Sequence, residues 1–304
     1  MKHRPNYAYI VAASTNYIPG LVALFNSLKR IESPHDVILI SFRLPEEFTE
    51  SLKAYSFTVR VIETEGENQT HQTAIERFRV ACEIGHEYDA ICLLDADMWV
   101  EANVDVFFLA ASKGLIVTGS NGMIINFNKG YQDQYECYLE KDEWPYPQIH
   151  TTVPIFLDTR NLDWFDALYK SRRVDSWDDF LYLNILGIKL RKYEKMICMP
   201  PYAFTGIHHW QMKPETGVME KGGLLLSGTE EQVYMVHGKW WDKGWLQDLI
   251  PTMKRYWHDE EISFRGQGRT NNAINSLLNR FRNLLKEGDQ SWQTQLQEGV
   301  LFLP

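Results

Sequence analysis

The feature that most constrains this sequence is an apolar run that leads directly into two aspartates. Residues 91–94 are apolar, Asp95 and Asp97 follow with Ala96 between them, and residues 98–100 are again apolar. A short continuous apolar run is typical of a strand buried on both faces. In an extended strand, residues i and i+2 point to the same side, so we expect the two carboxylates to face one ligand.

The expected position of this pair indicates the kind of ligand. In open α/β sheets, ligands bind at the carboxyl ends of the strands. Carboxylate oxygens suit Mg²⁺ or Mn²⁺, which share their remaining positions with phosphates. The pattern therefore indicates a divalent-metal site at Asp95 and Asp97, and an acidic turn after a core strand is the alternative interpretation.

Strand-like and helix-like segments alternate in the N-terminal part of the chain. Strands are predicted at 7–13, 37–40 and 59–62, with helices around 21–28 and 48–55 between them. This β-α-β-α-β order predicts an α/β fold with a mostly parallel sheet and right-handed crossovers. The turn after the first strand lacks the G-x-G-x-x-G pattern, so a dinucleotide site of the Rossmann type is not expected.

Two arginines precede the central strand. Residues 73–76 fit a capping box at a helix start, and the helix that follows carries Arg77 and Arg79 on the flanks of its apolar face. Either both arginines are solvated, or one of them is a cation held near metal-bound phosphates.

The second half of the chain is expected to continue the α/β pattern. Strands are predicted at 115–117, 123–125 and 155–157. Helices are predicted at 164–169, 178–186, 242–250 and 252–259. Residues 200–232 are expected to be mostly loop, and 233–236 form a short strand that leads to His237. Residues 274–286 form an amphipathic helix that either packs on the domain or docks on a membrane surface.

Composition excludes some classes of protein. The chain has 304 residues and a net charge of −9, which argues against a general nucleic-acid binder. No two of its four cysteines form a C-x-x-C pair, so free thiols in a reducing compartment are expected. The apolar run at 7–13 is too short to span a membrane, and we predict a cytoplasmic protein.

Several motifs in order along the chain resemble one family. The sequence has Tyr17-Ile18-Pro19-Gly20, Leu94-Asp95-Ala96-Asp97, Asn103-x-Asp105-x-Phe107, Asp179 five residues before Asn184, and His237 with Lys243 and Trp245. This set resembles the retaining glycosyltransferases typified by glycogenin and the bacterial lipopolysaccharide galactosyltransferases. The resemblance implies a GT-A fold over residues 1–250, with a Rossmann-like, mostly parallel central sheet flanked by helices. Residues 251–304 would form a helical C-terminal extension.

The resemblance also implies a nucleotide-sugar donor, usually UDP-linked, and a role for each matching residue. Asp95 and Asp97 with His237 would hold Mn²⁺ or Mg²⁺, and a neutral imidazole after a strand is a reasonable third ligand. The remaining residues would contact the donor. Ala12, Ala13 and Ser14 would line the base and ribose, Tyr17 would stack on the base, and Arg79 and Ala96 would contact the sugar nucleotide. Lys243 and neighbouring Lys239 would contact the diphosphate, and Asp179 or Asp178 would face the sugar.

The resemblance therefore implies a metal-dependent glycosyltransferase that moves a hexose from a nucleotide diphosphate sugar to a glycan or another hydroxyl acceptor, with retention. Phe180 and Gly244 stand where the family has Gln and Pro, so the donor sugar is left open. Two alternatives remain. A haloacid-dehalogenase-like phosphatase also uses Asp-x-Asp after a strand, although it usually has Thr or Val where this chain has Trp99. The other alternative is a non-catalytic module that binds a nucleotide or glycan.

Overall fold

The structure is a computed structural model that describes residues 5–64, 70–124, 149–170, 196–198, 204–206, 212–213, 218–219 and 234–237. Its strands are β1 Tyr7–Ser14, β2 Asp36–Phe42, β3 Val59–Glu63, β4 Ala90–Asp95, β5 Met98–Val100, β6 Ile116–Ile124, β7 Ile149–Leu157, β8 Met196–Cys198, β9 Phe204–Gly206, β10 Met212–Lys213, β11 Val218–Met219 and β12 Met235–His237. Its α-helices are α1 Ile18–Arg30, α2 Glu46–Ser51, α3 Thr70–Ile84, α4 Asp105–Ser112 and α5 Thr159–Lys170. Short 3₁₀ turns lie at Thr15–Tyr17, Leu52–Ala54 and Gly85–Glu87.

A seven-stranded sheet forms the centre of the fold, in the order β3-β2-β1-β4-β7-β6-β8. Strands β3, β2, β1 and β4 are parallel to one another, whereas β7 is antiparallel to both β4 and β6. Strand β8 is parallel to β6. A smaller sheet has the order β5-β12-β9, and β10 pairs with β11. The predicted α/β class with a mostly parallel central sheet is confirmed.

The core lies on the two faces of the parallel strands. All eight residues of β1 are buried, as are all but the first residue of β2, because helices cover both faces of the sheet. In α1, Leu21, Leu24, Phe25 and Leu28 recur at helical spacing and are fully buried. Continuous apolar strands thus set the parallel half of the sheet and bring its carboxyl ends to one edge.

Several expected element boundaries are wrong. The strands predicted at 115–117 and 123–125 are one strand, β6, which keeps its pairing with β7 across two register shifts. The capping box expected at Thr73 does not start a helix, because α3 begins three residues earlier at Thr70. The predicted loop at 200–232 contains the short strands β9, β10 and β11.

Some predictions fall on residues that the structure does not describe. These are the helices expected at 178–186, 242–250, 252–259 and 274–286, and with them the proposed extension at 251–304. Within the described ranges, none of the helices combines the length and apolar character needed to cross a membrane.

Candidate functional site

The carboxyl edge of the parallel strands is where the sequence places the site. The chain passes from β1 outward through β2 to β3 and then returns to the other side of β1 as β4, so the strand order reverses between β1 and β4. Ligands of open α/β sheets bind in the crevice at such a reversal. Residue pairing puts Ala12 beside Asp95, and Ser14 beside Phe42 of β2. The predicted base-binding residues Ala12, Ala13 and Ser14 therefore lie at the same edge as Asp95.

The two aspartates do not share one strand, which corrects the reasoning from the sequence. Strand β4 ends at Asp95, a turn follows at Ala96 and Asp97, and Met98 begins β5 in the smaller sheet. The side chain of Asp95 is 27% exposed, whereas Asp97 is only 7% exposed. The relative position of the two carboxylates is therefore not set by the alternation of side chains along a strand. It is set by the turn that joins β4 of the main sheet to β5 of the smaller sheet.

Gly20 allows helix α1 to approach this turn closely. A Cβ atom at Gly20 would lie 2.3 Å from the carbonyl oxygen of Ala96 and 3.0 Å from Cα of Asp97. Both neighbours are backbone atoms, which cannot rotate away, so only glycine fits without displacing the turn. This contact gives the Tyr-x-x-Gly motif a structural role, because its glycine lets the start of α1 pack directly against residues 95–97, which we call the acidic turn.

Arg77 is a site residue whose partner the sequence did not reveal. Its side chain is 4% exposed, and its Nη1 atom donates to the carbonyl oxygen of Leu94 at 2.5 Å and to Oδ1 of Asp95. The interpretation of both arginines as solvated is therefore wrong for Arg77. A buried guanidinium with a carboxylate partner fixes both side chains, since either charge alone would be costly to bury.

Arg79, the arginine that the sequence favoured, makes different contacts. Its guanidinium pairs with Glu76 at 2.7 Å and also with Glu83, both on its own helix. The hydrogen bond to Glu76, with a further one to Glu83, raises the pKa of Arg79. The arginine that reaches Asp95 is Arg77, and contact between Arg79 and a donor stays a prediction.

Backbone pairing brings His237 next to the acidic turn. Strand β12 is antiparallel to β5, with His237 opposite Met98, the residue that follows Asp97. The side chain of His237 is outside the described part of the structure. Among the side chains that are described, no three His, Cys, Asp or Glu residues form a metal-binding group. The metal site at Asp95, Asp97 and His237 therefore stays a prediction. Two carboxylates at one turn fit the oxygen ligands that Mg²⁺ and Mn²⁺ prefer.

The end of β1 and the turn after it carry the residues predicted to bind the base. Tyr17 is half-buried in the 3₁₀ turn Thr15–Tyr17, which leads directly into α1. Ser14 is buried, and its hydroxyl has no hydrogen-bond partner among the described residues. Thr15 Oγ1 donates to the carbonyl oxygen of Arg43, at 3.3 Å, and so ties this turn to the end of β2.

The Asn103-x-Asp105-x-Phe107 motif has a structural role. The side chain of Asn103 accepts a hydrogen bond from the backbone N–H of Asp105 at 2.7 Å, where α4 begins. Asp105 in turn lies 2.7 Å from Nε2 of buried His35. Phe107 packs edge-on against Phe204 of β9, with ring centroids 4.9 Å apart. The motif therefore joins the smaller sheet to the main core. Asp178, Asp179, Lys239 and Lys243 lie outside the described residues.

Comparison with known proteins shows the fold. The sequence matches no protein-family model and no curated protein. The apo structure of the bifunctional glycosyltransferase WbbM matches with a TM-score of 0.53 and 12% identity, over 81% of this chain and 48% of that one. The chain thus spans about half the length of WbbM.

Two further solved structures are similar. The apo form of mouse xyloside xylosyltransferase 1 matches with a TM-score of 0.51 and 12% identity, over 78% of this chain and 98% of that one. The galactosyltransferase LgtC, solved with donor and acceptor sugar analogs, matches with a TM-score of 0.47 and 14% identity, over 88% and 95% of the two chains. The first two likenesses, with the sheet described above, give this chain the GT-A fold of glycosyltransferases, as its motifs implied.

Proposed function

We propose that this chain is a metal-dependent glycosyltransferase that moves a hexose from a UDP-linked sugar to a hydroxyl of a glycan or other acceptor, with retention. One observation carries the proposal. In a fold that solved glycosyltransferases share, the Asp95-Ala96-Asp97 turn lies at the carboxyl edge of the sheet, where the strand order reverses. That crevice is the expected position of a ligand in such a sheet.

The residues along this edge are suited to the two ends of a nucleotide. The small residues Ala12, Ala13 and Ser14 end β1 and would lie beside the base and ribose, while Tyr17 would offer a ring for stacking. The acidic turn lies one strand away at the end of β4. The donor would therefore lie across the edge, with its base near β1 and its diphosphate near Asp95 and Asp97.

In this proposal Asp95 and Asp97, with His237, would hold Mn²⁺ or Mg²⁺. The bound ion would neutralise the charge that builds on the leaving diphosphate. Lys243, Lys239 and Arg79 would add positive charge at the same end of the donor. Arg77 holds Asp95 from the buried side through its guanidinium, so that the carboxylate keeps one orientation.

The chemistry at the sugar would fall to Asp179, or to its neighbour Asp178. A diphosphate leaves as an anion that needs no proton, so no general acid is required. A carboxylate beside the sugar stabilises the positive character that develops at the anomeric carbon. A retaining reaction needs a carboxylate or a carbonyl on the face of the sugar opposite the leaving group, or a tight ion pair. An inverting one requires a base beside the acceptor hydroxyl.

The surroundings of Trp99 do not favour the phosphatase alternative. In such phosphatases a small Thr or Val follows the first aspartate by four residues. Trp99 is fully buried in β5, and its Nε1 donates to Glu101 at 2.8 Å. A fully buried indole therefore stands where such phosphatases have a small side chain.

Calorimetric titration with UDP, with and without Mn²⁺, tests the proposal. We expect Asp97→Ala to weaken Mn²⁺-dependent UDP binding by roughly 100-fold, since loss of even an outer-shell partner costs 10- to 100-fold. Asp105→Ala is the matched control, because it removes an aspartate that contacts His35 outside the site. Equal UDP affinity in the Asp97→Ala variant would contradict the metal site.

Product analysis then separates the remaining alternatives. NMR of the anomeric proton in the product should show retained configuration, and an inverted product would overturn that part of the proposal. Mn²⁺-dependent binding of UDP without transfer from any UDP-sugar would identify a binding module. Release of phosphate from a phosphomonoester, without UDP binding, would favour the phosphatase.

A further inference from the structure

We propose that Arg43 binds the nucleobase end of the donor nucleotide; this inference rests on the proposed function. Arg43 directly follows β2, whose last residue, Phe42, pairs with Ser14 at the end of β1. Its side chain is exposed at the carboxyl edge of the sheet. Three observations support a binding role: its backbone conformation, the lack of a charge partner, and its distance from the acidic turn.

The backbone at Arg43 adopts a conformation that residues with a Cβ atom disfavour. Its φ angle is +57°, in the left-handed region that glycine and asparagine adopt more readily than other residues. Buried Ser41 accepts a hydrogen bond from the N–H of Leu44 at 3.2 Å, and Thr15 donates to the Arg43 carbonyl. Both contacts hold the turn. Strained residues that are fixed in this way concentrate at ligand sites. A glycine would satisfy the backbone conformation here, so the backbone does not explain why the residue is an arginine.

Arg43 also differs in charge pairing from the other arginines. Each of the other arginines in the described ranges contacts a carboxylate: Arg30 with Glu101, Arg60 with Glu87, Arg77 with Asp95, Arg79 with Glu76 and Glu83, and Arg160 with Asp158. Over the same ranges, the Arg43 guanidinium has no such partner. Its five N–H donors and its planar face therefore remain for a ligand.

Position decides which end of the nucleotide Arg43 would meet. Neighbouring strands lie about 4.8 Å apart, so β2 ends about 10 Å from β4, with β1 between them. With the diphosphate at Asp95 and Asp97, an extended nucleoside diphosphate would cross β1 and bring its base to Arg43. A guanidinium can stack on a pyrimidine ring and donate to its carbonyl oxygens.

Calorimetric titrations with UDP and with inorganic pyrophosphate, both with Mn²⁺, test this assignment. We expect Arg43→Gly to weaken UDP binding roughly ten-fold, the effect of losing one hydrogen bond from a charged donor. Pyrophosphate has no base, so its affinity should not change. Arg43→Lys keeps the charge without the planar fork and should weaken UDP binding by an intermediate factor.

Glu32→Gly is the matched control. Glu32 has a φ angle of +51° and lies after the end of α1, before β2 starts at the opposite edge of the sheet. Both glycine variants relieve the same backbone strain, so neither should lower the melting temperature. Only Arg43→Gly should affect UDP binding.

Two results would overturn the inference. Unchanged UDP affinity in Arg43→Gly would remove Arg43 from the site, and an equal loss of UDP and pyrophosphate affinity would place it at the phosphates. In both cases the wild-type protein still binds UDP, so the proposed function stands. Failure of the wild-type protein to bind UDP would overturn the proposed function together with the inference.

Discussion

The two edges of the main sheet each hold a buried side chain, an arginine or a histidine, against an aspartate, but the surroundings differ. At the carboxyl edge, Arg77 holds Asp95 and also binds the carbonyl oxygen of Leu94. At the amino edge, His35 lies 2.7 Å from Asp105. The His35 ring also packs edge-on against Phe108, with centroids 4.9 Å apart.

Aromatic packing dominates the amino edge. Tyr7 stacks on Phe108 at 4.9 Å, with their planes 6° apart, and Tyr9 meets the same ring edge-on. Burial is the main reason that the pKa of Tyr9 is raised. The carboxyl edge instead brings helix α1 against a backbone turn and carries polar side chains at its surface. The comparison indicates that the amino edge contributes stability, whereas the carboxyl edge carries the proposed site.

The largest expected effect is on stability at the amino edge. Phe108 is fully buried, so Phe108→Ala should lower the free energy of unfolding by about 3–5 kcal/mol. Urea denaturation measures this loss. Phe108→Leu, which leaves a smaller cavity, should cost less and should still bind UDP with wild-type affinity. Weaker UDP binding by the folded Phe108→Leu variant would break the division between the two edges.

Glycines at the two edges provide the next test. Gly20→Ala forces a new Cβ against the Ala96 backbone and should cost about 2–3 kcal/mol, as overpacking does. Gly85 precedes β4 at the amino edge, and its Cβ would lie 2.5 Å from Cδ1 of Leu162. That side chain can rotate, so Gly85→Ala should cost less than about 1.5 kcal/mol.

The two glycine variants should also differ in ligand binding. Gly20→Ala shifts the acidic turn and should weaken Mn²⁺-dependent UDP binding, whereas Gly85→Ala should not. Calorimetric titration of both variants makes the comparison. A greater loss of UDP affinity in Gly85→Ala would reverse the roles assigned to the two edges.

Arg77 and Arg79 lie two residues apart on α3 but differ in burial. Arg77→Met removes a buried cation from Asp95 and should cost about 2 kcal/mol of unfolding free energy. Arg79→Met removes surface pairs with Glu76 and Glu83 and should cost less than about 1 kcal/mol. Chemical denaturation measures both losses. Equal losses of unfolding free energy in the two variants would show that the burial of the Arg77 contact adds little to stability.

The smallest expected effect is at Asp105. Its side chain is 51% exposed, so Asp105→Ala should cost at most about 1 kcal/mol although it removes the partner of His35. The melting temperature measures this loss. A loss comparable to that of Phe108→Ala would mean that the contact between His35 and Asp105, rather than the aromatic packing, stabilises the amino edge.

The sequence predicted the features that depend on local pattern. The continuous apolar runs of β1, β2 and β4 and the helical spacing in α1 led to the α/β class and to the edge where Asp95 lies. Alternation of apolar and polar residues could not reveal that β5 leaves the main sheet after Asp97, because its partner β12 lies far along the chain. The partner of Arg77 was equally hidden, since it comes from β4 and not from its own helix.

The pairing of β5 with β12 has a consequence for the order in which a newly made chain can be completed. Met98 and His237, which pair in these strands, are about 140 residues apart in sequence. At 5–20 residues per second, synthesis of that interval takes roughly 7–28 seconds. During this time β1, β2, β3 and β4 can already assemble, whereas β5 lacks β12, the strand with which it pairs. Exposed strand edges of this kind favour pairing with other chains, so β5, beside the acidic turn, is open to such pairing until β12 has been made.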